Sequence, residues 1–376
     1  MTLAARKLVQ YLLDIGVVDA ASVVDGDLMI VDTTRRHRNA KVLRRAAPGC
    51  FVKQARSEQP LANQSLHREA VCGWLIAHDE RFAALRRLVP RWLAYDHARS
   101  LLVSELLPEA ENMAEHHLRL GRFPPELADL LGRELGLAHA GVSIPPANAP
   151  GLEVFPRAQP WILSIHQLAA SQFERLSAGH MQVLALVRQY PEYKSVLDAL
   201  RGQWSIDGLV HGDMKFENCL VLAAQPGQEE PALRIVDWEL ADFGDMYWDV
   251  GAVFQAYLST WVLSMPEHDE ASAERLVSHA RYPLESLQPA IAAFWRAYSA
   301  VRPAPAGLTS AALLTRCVQY AAARMIQTSY EHVGQVPRVT MGALRMLQVS
   351  MNMLTRPADA IRDLLGMPEA LQEAAA

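Results

Sequence analysis

The chain has 376 residues, of which 51% are hydrophobic and 20% are charged, so it is long enough to bury a large core and to form two lobes. Its formal net charge of −5 disfavours a nucleic-acid partner, and no apolar run approaches the length of a membrane span. The four cysteines form no CxxC pair, which argues against a zinc site and a disulfide framework. We therefore expect a cytoplasmic protein with reduced thiols, and the sequence leaves its oligomeric state open.

The first third of the chain mixes helical and strand patterns. Apolar residues at helical spacing predict a short helix near the N-terminus. Short apolar runs bounded by turn residues predict strands at 27–33, 50–54 and 101–106, and an apolar stripe predicts a helix over 64–88. Together these elements predict a small α+β lobe, which we place at residues 1–108.

The remainder, residues 109–376, is predicted to be mostly helical, with loops at its prolines. Its exception is a hairpin, in which 219–222 and 233–236 are short apolar strands joined by a turn-rich connection. The sequence thus predicts a β-rich small lobe followed by a helical large lobe with one inserted hairpin.

The strongest chemical signal is HGDMKFEN, residues 211–218, directly before the first hairpin strand. Phosphoryl transfer needs a carboxylate that orients the acceptor hydroxyl and takes its proton, and an oxygen ligand that fixes magnesium on the phosphates. Asp213 and Asn218 lie on one short loop and supply both. Lys215 offers positive charge to the transferring phosphoryl group.

A second signal, Asp237, stands at the far end of the hairpin. Because a hairpin returns its ends to the same place, we expect Asp237 close to Asn218 and Asp213. A second hard oxygen ligand suits a magnesium ion that is held mainly by phosphates. The GDMYWD element at 244–249 is expected to close the catalytic loop by hydrogen bonds, and His211 is expected to brace that loop.

HGDMKFEN, followed by VDWELADFGDMYWDVG, resembles the aminoglycoside phosphotransferase and choline-kinase-like superfamily. In element order the resemblance extends over about residues 30–330. It implies an α+β, two-lobed, protein-kinase-like fold with ATP as the phosphoryl donor, GTP as a possible alternative, and Mg²⁺. It also implies that Asp213 is the catalytic base and that Asn218 and Asp237 bind the metal.

The resemblance implies a nucleotide site in the small lobe. A strand lysine is expected to hold the α- and β-phosphates and to be braced by a helix glutamate. Lys53 is the matching lysine and Glu69 the expected brace, with Glu58 and Glu80 as weaker candidates.

Two further segments are expected to contact the nucleotide. This expectation rests on their positions in the family's order of elements. The hinge is placed at 101–108, where the backbone of Glu105 and Leu106 would meet the adenine edge. The stretch 32–45 stands where a kinase has its glycine-rich loop, yet it contains no glycine and six basic residues. A solvated basic hairpin is one interpretation of it, and a phosphate contact from Asn39 or from Thr34 is the other.

Three functions remain open at this point. The first is a kinase of a small-molecule hydroxyl, such as that of an antibiotic, sugar or amino alcohol. The second is a kinase of Ser or Thr in a biosynthetic peptide, and the third is a nucleotide-binding protein without catalysis. The formal charge of residues 109–376 is −10, from 20 Lys and Arg against 30 Asp and Glu. That excess, and the acidic residues that crowd the segment after Asp237, favour a neutral or cationic small-molecule acceptor. The acidic residues are Glu239, Asp242, Asp245 and Asp249.

Overall fold

The computed structural model describes residues 5–33, 38–56, 58–142, 144–146, 149, 151–168, 176–223, 231–267, 273–334 and 336–374. Its N-terminal lobe is built on an antiparallel sheet of five strands, with the spatial order β1-β2-β3-β5-β4. The strands are β1 (Leu28–Asp32), β2 (Arg38–Arg44), β3 (Cys50–Gln54), β4 (Trp92–Asp96) and β5 (Leu101–Glu105).

The two faces of this sheet have different partners. Helices α1 (Ala5–Asp14) and α2 (Ala20–Val24) precede the sheet, and apolar residues of α1 pack on one face, where Leu12 and Val52 belong to one buried cluster. The longer α3 (Pro60–His78) packs on the other side of the lobe. Since neighbouring residues of a strand point to opposite faces, Lys53 of β3 points away from α1 and into the cleft beneath the sheet.

The three strands predicted for this lobe are confirmed to within a residue or two, whereas β2 and β4 were missed. β2 carries the basic run that we compared with a glycine-rich loop. Its many charged residues leave no regular alternation of polar and apolar residues in the sequence. The helix predicted over 64–88 has wrong bounds. It begins at Pro60, a favoured first-turn residue, and ends at His78, because Asp79 adopts an extended conformation and caps a 3₁₀ helix over Glu80–Leu85.

The C-terminal lobe is helical, as predicted. Its centre is α8 (Tyr247–Leu263), which is buried on nearly all sides because apolar residues cover its whole circumference. At Gly132 a side chain is impossible: a Cβ there would lie 2.2 Å from the carbonyl oxygen of Phe294, so this glycine lets α5 (Pro125–Gly141) approach α10 (Leu284–Val301) closely. The helices are α4 (Met113–Leu120), α5 (Pro125–Gly141), α6 (Ala178–Gln189), α7 (Pro191–Gln203), α8 (Tyr247–Leu263), α9 (Ala273–Ser278), α10 (Leu284–Val301), α11 (Ser310–His332), α12 (Met341–Thr355) and α13 (Pro357–Asp359).

Short strands in the C-terminal lobe hold the loops of the cleft. The predicted hairpin is confirmed as β8 (Cys219–Leu222) and β9 (Ala232–Ile235), which pair antiparallel. The other short strands, of two or three residues, were too brief for a sequence pattern: β6 (Glu111–Asn112), β7 (Gly208–Val210) and β10 (Asp242–Gly244). Among the described residues, no helix combines the length and the apolar character needed to cross a membrane.

Candidate active site

A cavity of about 530 Å³ lies between the N-terminal sheet and the hairpin of the C-terminal lobe. Most of the residues that the sequence singles out line it. These are Asn39, Lys53, Glu69, Glu105, Leu106, Asn218 and Asp237. Asp213 and Lys215 do not line the cavity. They contact each other, and they lie on the loop that also carries Asn218.

Lys53 is the centre of a buried ion cluster. Its Nζ lies 2.6 Å from Oε2 of Glu69 and also donates to the carboxylate of Asp237. Burial alone would lower the pKa of this amine, but the two carboxylates outweigh burial and raise its pKa. Of the three candidate glutamates, Glu69 is therefore the one that braces Lys53, whereas Glu80 pairs with Arg86 on the surface.

Asp213 is held by two cations. Its Oδ2 accepts from Nζ of Lys215 at 2.6 Å, and its Oδ1 lies 3.2 Å from Nη2 of Arg324. Burial raises the pKa of this carboxyl, but the charges of Arg324 and Lys215 outweigh burial and hold the pKa at about 2. Asp213 is consequently ionised at any physiological pH.

Asn218 is oriented by the same loop. Its Nδ2 donates to the backbone oxygen of Asp213 at 2.9 Å and lies 3.4 Å from Oδ2 of Asp213. With the amide nitrogen committed in this way, the side-chain oxygen of Asn218 remains for the cavity. The backbone N–H of Val236 donates to the Asn218 carbonyl oxygen, which places the next residue, Asp237, beside it.

The predicted closure of the catalytic loop by GDMYWD is confirmed. The buried carboxylate of Asp249 accepts from the backbone N–H groups of His211, at 2.6 Å, and Gly212, at 3.1 Å. The His211 ring donates from Nε2 to the Val236 carbonyl oxygen and accepts at Nδ1 from the Asp213 N–H. His211 thus braces the loop, as expected.

Arg324 also contacts the loop of residues 211–218, and the sequence did not single it out. It lies on α11, 111 positions after Asp213, and only 4% of its surface is exposed. Its Nη1 donates to the Gly212 carbonyl oxygen at 3.1 Å, so it contacts both the backbone and the carboxylate of the catalytic loop. The only available signal was a single arginine inside the apolar stretch AAARMIQ.

Three of the four acidic residues after Asp237 have structural partners, so they do not support the expectation of a cationic acceptor. Asp242 accepts from backbone N–H groups of residues 157 and 158, Asp249 caps the catalytic loop, and Asp245 is fully buried against Arg316 and Tyr320. Glu239 does line the cavity, but it is buried and accepts from Ser65. A formal charge count does not distinguish such buried structural carboxylates from those that face a cleft.

The backbone donors at the expected hinge are used within the sheet. The N–H of Glu105 donates to the Arg91 carbonyl oxygen, and the N–H of Leu106 donates to that of Gly49. Both donors are used by the sheet, because β5 pairs with β3 and β4 on its two sides. Within the described residues, the N–H of Leu107 has no hydrogen-bond partner, and Leu107 lines the cavity.

Thr33, Asn39 and Lys41, from the described parts of the glycine-free segment, line the cavity and are called its roof below. Asn39 is paired with Lys53 across the sheet, so both side chains face the cleft. The side-chain oxygens of Asn39 and Thr33 are buried and have no hydrogen-bond partner among the described residues. Thr34, the other candidate for a phosphate contact, lies outside the described residues.

The arrangement of oxygen donors fits a magnesium ion. Asp237 offers a second carboxylate oxygen beyond the one that meets Lys53, and Asn218 offers its side-chain oxygen; both residues line the cavity. Hard oxygen ligands in small number suit an ion that keeps phosphate and water ligands. Across the described part of the chain, no cluster of three or more His, Cys, Asp or Glu side chains forms a self-contained metal site.

Comparison with solved structures shows which fold this is. One similar structure is an amicoumacin kinase, in complex with AMP-PNP, Ca²⁺ and Ami, with a TM-score of 0.52 and 12% identity over 90% of this chain and 93% of that one. Another is a choline kinase from Cryptosporidium parvum Iowa II, with a TM-score of 0.51 and 12% identity over 96% of this chain and 99% of that one. No protein-family model matches the chain. A search of curated proteins likewise found no match.

The chain therefore has the two-lobed, protein-kinase-like fold, as predicted.

Proposed function

We propose that the protein is an ATP- and magnesium-dependent phosphotransferase that acts on a hydroxyl group of a small molecule. The observation that carries the proposal is a convergence on one cavity: Lys53 from β3, Glu69 from α3 and Asp237 after β9 form one ion cluster, and Asn218 lines the same space. Asp213 lies directly behind Asn218, with its carboxylate ionised. A structural ion pair has no need of this set, whereas phosphoryl transfer needs each member of it.

Asp213 is the proposed base. The acceptor hydroxyl binds its carboxylate and attacks the γ-phosphorus, so that a new O–P bond forms and the hydroxyl proton passes to Asp213. The bond between the γ-phosphorus and the β,γ-bridging oxygen breaks, and ADP leaves with that oxygen. Lys215 lies next to Asp213 and supplies positive charge to the transferring phosphoryl group.

Asn218 and Asp237 are the proposed magnesium ligands. The ion would neutralise phosphate charge as the transfer proceeds. Lys53 holds the α- and β-phosphates, and Glu69 keeps its amine in place. Thr33 would donate its hydroxyl, and Asn39 its side-chain amide N–H, to the phosphates from the roof.

The adenine edge is assigned to the segment around Leu106. Glu105 and Leu106 line the cavity, but their N–H groups are used within the sheet, so we assign the N–H contact to Leu107. The sequence offers no preference between ATP and GTP. Residues 1–108 are proposed as the nucleotide-binding lobe and 109–376 as the lobe that binds the acceptor.

The acceptor class is argued from the fold neighbours. The two similar structures are named as kinases of amicoumacin and of choline, and both names denote small molecules. The carboxylates after Asp237 do not favour a cationic acceptor, since three of those four residues serve the fold. We therefore propose a small molecule with a free hydroxyl and leave its charge open.

A transfer screen tests the proposal. The protein is incubated with γ-labelled ATP or GTP, Mg²⁺ and one acceptor at a time, chosen from aminoglycosides, amino alcohols, sugars, nucleosides and Ser/Thr peptides. Label on a small molecule supports the proposal. Label on peptides alone overturns the acceptor class and keeps the transferase. Absence of label in all arms, together with no thermal stabilisation by nucleotide and Mg²⁺, overturns the kinase assignment.

A further inference from the structure

The two cations that hold Asp213 differ in how firmly they are themselves held. Arg324 contacts Oδ1 and Lys215 contacts Oδ2, but the exposed fraction of the Arg324 side chain is 5% and that of Lys215 is 42%. A long, half-exposed lysine changes its rotamer at little cost, whereas a buried guanidinium is fixed by its surroundings.

Arg324 is anchored by more than its contact with Asp213. Its Nη1 donates to the Gly212 carbonyl oxygen at 3.1 Å and to Oε1 of Gln327 at 3.3 Å. Its guanidinium lies over the Trp248 ring, 5.6 Å from the centroid. The guanidinium fork thus spans a backbone carbonyl and a carboxylate of the same loop, and this fixes the rotation of the Asp213 side chain.

The two carboxylate oxygens of Asp213 face different surroundings. Oδ1 faces buried Arg324, and Oδ2 faces Lys215 and the amide of Asn218, which lines the cavity. The Lys215 side of the carboxylate is the more exposed one, so an acceptor hydroxyl reaches Oδ2 rather than Oδ1. Lys215 has to give up that oxygen for the hydroxyl to bind, and its exposure allows this.

We propose that Arg324 is a positioning residue for phosphoryl transfer: it holds Oδ1 of Asp213 and the Gly212 carbonyl oxygen, so that Oδ2 is the oxygen presented to the acceptor hydroxyl. This assignment rests on the proposed function. Lys215 moves from Oδ2 towards the transferring phosphoryl group when the acceptor arrives. Arg324 therefore stays in place during the transfer, whereas Lys215 moves.

The same helix offers a matched structural pair. Arg316, about two turns before Arg324 on α11, pairs with Asp245. Neither residue lines the cavity, and the Asp245 side chain is fully buried, whereas that of Asp213 is 20% exposed. If Arg324 were only a buried ion-pair partner, its loss would resemble the loss of Arg316.

The test compares Arg324→Gln, Arg324→Lys and Arg316→Gln in phosphate release from Mg-ATP, with water as the acceptor. For Arg324→Gln we expect a fall in kcat of about 10- to 100-fold, with the KM for ATP unchanged within about twofold. Arg324→Lys, which keeps the charge but not the fork, should recover part of the loss. Arg316→Gln should lower the thermal midpoint and leave kcat near the wild-type value. A parallel loss of kcat in the Arg316 and Arg324 variants overturns the proposal.

A double-mutant cycle separates action through Asp213 from other effects. In an Asp213→Asn background, Arg324→Gln should cause no further fall in kcat, because the group it positions is gone. Additive losses overturn the assignment. Crystal structures of the wild type and Arg324→Gln give a readout that needs no turnover: a rotated Asp213 carboxylate supports the proposal, and an unchanged one overturns it. Failure of the proposed function would appear separately, as ATP that is neither bound nor consumed by the wild type.

Discussion

Lys53 and Asp237 lie 184 positions apart in the chain, and the Nζ of Lys53 donates a hydrogen bond to the Asp237 carboxylate. The same amine meets Glu69 of α3 at 2.6 Å. One cation therefore holds β3, α3 and the end of the hairpin together at the cavity, and its position depends on two carboxylates at once.

Loss of this cation should affect turnover more than nucleotide affinity. Lys53→Ala is expected to lower kcat by about 100-fold, since misplaced phosphates cost that much in rate, while adenine contacts remain. Steady-state kinetics and nucleotide titration measure the two effects. Lys194→Ala, at an exposed position on α7, is the control and should behave as the wild type. Unchanged kinetics in Lys53→Ala would move the phosphate-binding amine elsewhere.

The two carboxylates of the site should respond differently to magnesium. Asp237→Ala removes a proposed ligand, so the Mg²⁺ concentration needed for half-maximal stabilisation by ATP is expected to rise about tenfold or more. Asp213→Asn should keep the wild-type magnesium response, because Asp213 serves the acceptor. Thermal shifts at fixed ATP and increasing Mg²⁺ give the comparison. The same response in both variants would mean that the two roles have been exchanged.

A methyl group added at Gly73, in the lining of the cavity, should lower the stability of the protein. A Cβ at this position of α3 would lie 2.9 Å from Cδ1 of Trp92, and both residues line the cavity. Gly73→Ala is expected to cost about 1–3 kcal/mol of unfolding free energy through overpacking. Gly202→Ala on α7, where nothing lies within 4 Å, is the control and should cost nothing. Urea denaturation measures both, and equal stability of the two variants would contradict the close packing.

A buried histidine should make the protein sensitive to acid. His117 is enclosed by Phe123, Phe216 and Tyr257, and burial lowers its pKa to about 4. Because the unfolded chain takes up this proton near pH 6.5, its contribution to stability is complete above that pH and is lost as the pH falls towards 4. The loss reaches about 3 kcal/mol.

The variant His117→Phe keeps a ring among the aromatic side chains and removes the titration. Its stability should therefore fall less between pH 6.5 and 4 than that of the wild type. The control is His332→Phe, at an exposed position, which should keep the wild-type acid sensitivity. The midpoints of urea unfolding are measured across this pH range. If they fall in parallel for His117→Phe and the wild type, protonation of His117 is not the cause of the acid sensitivity.

The site was predictable where its residues are close in the chain. HGDMKFEN places Asp213, Lys215 and Asn218 on one loop, and hairpin geometry brings Asp237 to it. Arg324 was not predictable, because its contact with Asp213 arises from helix packing across 111 positions. Packing and register carry information that a linear pattern lacks.

The same distinction explains the other differences. The use of the Glu105 and Leu106 N–H groups within the sheet was not predictable, because it follows from strand register, which the sequence of one strand does not state. β2 was missed because basic side chains on a strand with one covered face resemble a charged loop. The acidic residues after Asp237 were misinterpreted because a buried carboxylate with a cationic partner, such as that of Asp245, stabilises the fold and does not attract a ligand.

The role of Asp213 as the base of an ATP-dependent transfer is tested most directly by following label from γ-labelled ATP to the acceptor found in the screen. The wild type and Asp213→Asn are compared. We expect Asp213→Asn to bind Mg-ATP with an affinity within a few-fold of the wild type and to transfer label about 100- to 10,000-fold more slowly. Transfer by Asp213→Asn at close to the wild-type rate would show that Asp213 is not the base.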